Sequence, residues 1–82
     1  MDTESSAEQA AGGLPISAAG MLEALLFAAG NPLPLKDIAS IMALSEEEAK
    51  ALIRELQMRL SEYGSGLVVQ NVAGGYQLVF FS

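Results

Sequence analysis

Ala49, Leu52, Ile53, Leu56, Leu60 and Tyr63 fall at i, i+3, i+4, i+7, i+11 and i+14, one apolar seam at helical spacing. The seam predicts a helix from residue 46 to about residue 63. It also constrains everything around it, because a stripe of that length must be buried against other elements. The start is written in the chain as well. Ser45 supplies an N-cap acceptor and Glu48, three residues on, completes a capping box. Glu46 and Glu47 add negative charge at the positive end of the helix dipole. Gly64-Ser65-Gly66 ends it.

Two shorter helices precede it. Ser17 caps a helix over 18–29, striped by Met21, Leu22, Leu25, Leu26 and Ala29. Gly30 terminates this helix and Asn31-Pro32 forbids its continuation. Pro34 suits the first turn of a helix over 35–42, whose stripe is Leu35, Ile38, Ala39 and Met42. Ala43-Leu44 then makes a tight turn into the long helix. Downstream, 67–72 and 76–81 are rich in Val, Leu, Phe and Tyr and flank Ala73-Gly74-Gly75. Two glycines at that tip predict the positive φ of a hairpin turn. An isolated hairpin is marginal in water, so it must lie on the helices. The expected fold is α+β, a winged helix-turn-helix of three helices plus a two-stranded β-hairpin wing, occupying 17–82. Residues 1–16, rich in Ser, Ala, Glu and Gly, read as a disordered acidic leader.

The composition narrows function by exclusion. The chain has no His and no Cys, so thiolate zinc sites and nucleophile–imidazole pairs are ruled out. Glu47 and Glu48 are adjacent on a helix and diverge by about 100°, so they cannot converge on one substrate. Gly74-Gly75 precedes a strand and lacks the Lys-Ser/Thr of a phosphate loop. No catalytic residue, cofactor or metal is expected, and the chain reads as a non-enzyme. The longest apolar run, 24–29, is too short to span a bilayer, and the N-terminus lacks a basic signal-peptide opening. A cytoplasmic protein with no membrane partner is the expectation.

A winged helix raises the alternative of a DNA-binding transcriptional regulator. The formal charge is −6, and Lys36, Lys50, Arg54 and Arg59 are the only cations. A typical footprint of roughly six to ten phosphates needs more than these four. Glu46, Glu47 and Glu48 occupy the turn that would meet base edges, and no Lys or Arg follows Gly64. No direct DNA binding is expected. Glu46 with Lys50, and Glu55 and Glu62 with Arg59, are placed for local ion pairs.

The surplus is apolar. Only one face of a wing can cover the helices. Met21, Leu22, Leu26 and Phe27 on the first helix, with Val68, Val72, Val79 and Phe81 on the wing's outer face, are the candidate dimer or partner interface. Lys50 and Arg54, one turn apart, are a candidate charged rim.

The run Leu22-Glu23-Ala24-Leu25-Leu26-Phe27, then Gly30-Asn31-Pro32-Leu33, the turn Leu44-Ser45-Glu46-Glu47-Glu48, and the wing Val72-Ala73-Gly74-Gly75-Tyr76-Gln77-Leu78-Val79 together resemble the N-terminal winged-helix domain of the segregation and condensation protein B family. The resemblance spans residues 21–79. It implies a non-catalytic accessory subunit of the bacterial condensin-type complex, acting in chromosome condensation and partition during cell division. It implies a homodimer that binds the kleisin subunit, segregation and condensation protein A, and through it the structural-maintenance-of-chromosomes ATPase, giving nucleoid association. The family carries two winged-helix domains, and the second is expected to be absent from this chain. Ala43 stands where the family commonly has Gly, and Pro34 where it commonly has a Ser-type cap.

Overall fold

The computed structural model describes residues 16–80. The expected leader (all but Ile16) and the candidate interface residue Phe81 lie outside the described residues. Six elements follow in order: helix α1 (Ala18–Ala29), strand β1 (Leu33–Pro34), helix α2 (Leu35–Met42), helix α3 (Glu46–Glu62), strand β2 (Leu67–Val72) and strand β3 (Gly75–Phe80).

Each helix end has a local cause. The Gly20 amide donates to Ser17 Oγ at 3.0 Å, capping α1, and Gly30 closes it in the left-handed region at φ 72°. The capping box of α3 is complete. The Glu48 amide donates to Ser45 Oγ at 3.0 Å, and the Ser45 amide donates to Glu48 Oε1 at 2.9 Å. Pro34 gives α2 no side-chain cap. Ala43 ends α2 at φ 59°, ψ 44°, while the Leu44 amide donates to the Ala39 carbonyl at 2.8 Å in a Schellman-type closure. An alanine held there is strained by roughly 1–2 kcal/mol. Tyr63 departs from the expected seam. Helical geometry stops at Glu62, and Tyr63 becomes an exposed C-cap residue.

The sheet has three antiparallel strands in the order β1-β3-β2. The expected two-stranded wing is therefore joined by a third, two-residue strand, with Leu33 opposite Tyr76 and Pro34 opposite Gly75. Proline is tolerated there because β1 is an edge strand and its missing N–H leaves no ladder bond unmade. The turn chemistry also differs from the expectation of two glycines at positive φ. Ala73 (φ 48°) and Gly74 (φ 79°) form the two-residue loop, a type I′ geometry. Gly75 is instead a buried strand residue. A Cβ on it would lie 2.9 Å from Pro32 Cβ and 3.0 Å from Leu33 backbone atoms, so glycine is required there for space.

The core is aliphatic and built where α1, α2 and α3 meet. Leu22, Leu26, Ile38 and Leu56 are its largest fully buried side chains, each worth about 1.5–3 kcal/mol of burial. Leu67, Val69, Tyr76 and Leu78, from the inner face of the hairpin, pack against it. Among the described residues no polar or charged residue is buried.

Candidate functional site

Helix α1 carries one charged residue, Glu23, and is otherwise apolar around its circumference. Its core-facing side is Ala19, Leu22 and Leu26. Leu22 is 0% and Leu26 2% exposed, so these two candidate interface residues are corrected to core residues. Both already lie against the protein's own helices and have no surface to offer another chain. Met21 and Phe27 do. They are 54% and 76% exposed, and Ala24 and Ala28 between them are exposed too. A surface helix normally turns a polar face to water, whereas this one presents an apolar strip on the side away from its core.

The wing's outer face is sorted by register. Val68 sits directly opposite Val79, Gln70 opposite Gln77 and Val72 opposite Gly75. Val68, Val72 and Val79 are half-buried, so this face is apolar at its ends and polar between them.

Lys50 and Arg54 lie exposed on α3. Of the anticipated ion pairs, the bridge between Arg59 Nη2 and Glu55 Oε2, at 3.2 Å, forms among the described residues. Such exposed pairs contribute about 0–1 kcal/mol. Arg59 also donates to Ser17 Oγ at 3.4 Å, linking the end of α3 to the cap of α1. No described carboxylate comes within 4 Å of Lys50 or Arg54.

Sequence reasoning passed over a second feature of α3. The Gln57 side chain accepts the Val69 amide of β2 at 2.8 Å, and Ser65 Oγ accepts the Leu67 amide at 3.0 Å. β2 is an edge strand, so these bonds occupy amides that would otherwise face outward. Gln57 stands just off the apolar seam, but no local signal identifies a partner twelve residues away. Beside this contact, α3 and β2 enclose a groove of about 220 Å³ lined by Gln57, Leu60, Ser61, Ser65, Leu67 and Val68. No group of three or more described Asp or Glu residues is placed to hold a metal ion. No helix among the described residues is long and apolar enough to cross a membrane.

Residues 20–81 match the family model described as segregation and condensation complex subunit ScpB. Segregation and condensation protein B of Carboxydothermus hydrogenoformans is 46% identical over 55 residues, covering 67% of this chain and 30% of the relative. That of Geobacillus kaustophilus is 42% identical over 72 residues, covering 87% of this chain and 33% of the relative. This chain thus spans about a third of the length of these curated relatives. Among solved structures, the crystal structure of a dimer of the ScpB N-terminal domain complexed with ScpA peptide superposes with a TM-score of 0.72 at 41% identity. That match covers 77% of this chain and 79% of the neighbour.

Proposed function

This chain belongs to the segregation and condensation protein B family, and from that premise we propose that it is a non-catalytic accessory subunit of a bacterial condensin-type complex. It acts in chromosome condensation and partition during cell division. It forms a homodimer, binds the kleisin subunit, and reaches the structural-maintenance-of-chromosomes ATPase through that kleisin. It works in the cytoplasm, associated with the nucleoid through the complex and not through DNA contacts of its own.

The observation that carries this reading is the outward apolar strip of α1. Met21 and Phe27 are large apolar side chains that the folded chain leaves uncovered. A second copy that brings the same strip across a two-fold axis would remove them from water at about 25 cal/mol per Å². The candidate residues Val68, Val72 and Val79 extend the same kind of surface onto the wing. The 41%-identical neighbour being a dimer with a bound peptide supports both partners. The exposed Glu46, Glu47 and Glu48 at the start of α3 speak against DNA as the ligand, since phosphates would meet negative charge there.

The test is sedimentation equilibrium of the purified chain at micromolar concentration, with and without the kleisin subunit of the same genome. A dimer that gains mass on adding the kleisin is the expected result. A monomer throughout, with no complex formed, would overturn the reading.

A further inference from the structure

We infer that Gln57 and Ser65 guard the outer edge of β2, keeping it from pairing with the same edge of a second copy of this chain. The guard does not depend on the proposed function, and it acts on a different surface from the apolar strip of α1. Register settles which amides this edge presents. Val72 and Gly75 flank the two-residue loop and form a hydrogen-bonded pair, and such pairs alternate along an antiparallel ladder. Val68, Gln70 and Val72 therefore bond to β3, while Leu67, Val69 and Asn71 turn their backbone groups away from it. Two antiparallel copies of that edge match each other. With Val69 of one copy opposite Val69 of the other, Leu67 faces Asn71 on either side, and every outward N–H meets a carbonyl.

The strand itself carries none of the usual deterrents. Edges are commonly blunted by charged side chains or proline. Residues 64–82 contain no Asp, Glu, Lys or Arg, and β2, Leu-Val-Val-Gln-Asn-Val, contains no proline. An uncharged, strand-prone hexamer of this kind is an aggregation hazard wherever its edge is open.

Side chains outside the strand supply what it lacks. Gln57 Oε1 accepts the Val69 amide at 2.8 Å, and Ser65 Oγ accepts the Leu67 amide at 3.0 Å. Both bonds are partly buried, which slows their exchange for water. They occupy two of the three outward donors, including the Val69 amide at the centre of the self-pairing register, and leave only that of Asn71. Ser65 acts locally from the turn before β2. Gln57 reaches across from α3, so its bond also holds the edge strand against the helix.

Residue-resolved amide hydrogen exchange of the full chain, with sedimentation of the same samples, tests the assignment. Gln57→Met keeps the length of the side chain without its acceptor and should speed exchange at Val69 about 5- to 10-fold, the loss of one hydrogen bond. Gln57→Glu keeps an acceptor oxygen and should retain the protection. Ser65→Ala should speed exchange at Leu67 and leave Val69 unchanged. Val68 and Gln70, bonded to β3, should stay protected in all three variants, which reports that the hairpin remains folded. With Gln57→Met and Ser65→Ala combined, species heavier than a dimer should appear and grow with protein concentration. Adding Asn71→Lys puts a charge on the same edge and should abolish them. Unchanged exchange at Val69 and Leu67 would overturn the inference, since the two side chains would then not hold those amides. Faster exchange without heavy species, or heavy species that persist with Asn71→Lys, would overturn it equally.

Discussion

Helices α1 and α3 both build the core, α1 with three buried residues and α3 with five, and differ in what they turn outward. α3 buries Ala49, Leu52, Ile53, Leu56 and Leu60 on one side and shows mainly charged and polar residues on the other, with Met58 the one large apolar side chain exposed there. A full capping box begins it. α1 buries Ala19, Leu22 and Leu26, yet leaves Met21 and Phe27 in water on its remaining surface. α3 thus separates a buried side from a mostly polar one, whereas α1 has no polar face to separate. Under the proposed function, fold stability and partner binding are divided between the two sides of one short helix, so that adjacent residues on α1 answer to different demands.

The largest test of this division is a pair of neighbours. Leu26→Asp forces a charge into the core and is expected to lose at least about 4 kcal/mol of a total near 5–15 kcal/mol, seen as loss of a cooperative thermal transition. Phe27→Asp, one residue on, should leave the unfolding free energy of the dilute protein within about 0.5 kcal/mol and shift the sedimentation mass toward the monomer. Equal destabilisation by both would break the comparison.

The next effect concerns the tie between α1 and the wing. Gly75→Ala drives a Cβ to about 3 Å from Pro32 and Leu33, the segment leaving α1. Overpacking of this kind costs about 1–3 kcal/mol by urea denaturation. A neutral result would mean that β1 is free to move away from β3.

Smaller still, Ser45→Ala removes the capping box of α3 and should destabilise by about 1 kcal/mol. Ser17→Ala should cost less, because the Ser17 cap has no reciprocal side chain. Comparable losses at the two caps would blur the contrast between the helices. The smallest change has the opposite sign. Ala43→Gly and Ala73→Gly relieve left-handed alanines, each raising stability by up to about 1 kcal/mol in thermal melts.

Much of the fold was legible because its signals are local. Ser17 and Gly30 mark the ends of the helix at 18–29 and Ser45 with Glu48 the start of the helix at 46, while Pro34 and the Ala43-Leu44 turn bound the helix at 35–42. The seam of α3 told its burial directly, since charged residues fill the other side. The stripe of α1 could not. With apolar residues all around, periodicity contains no preference between Met21–Phe27 and Leu22–Leu26 as the buried pair.

The sequence alone determined which segments are helical, where the hairpin turns, that the chain lacks thiol and imidazole chemistry, and that its likeness is to a segregation and condensation subunit. Tertiary structure alone decided which side of α1 faces the core, why residue 75 must be glycine, that Leu33–Pro34 becomes a strand, and that Gln57 reaches the wing. Caps and turns are closed by neighbours along the chain, so the residues that cause them are adjacent in the text. Burial, close approach and edge protection depend on residues brought together from far apart, and their energies exist only once the elements have packed.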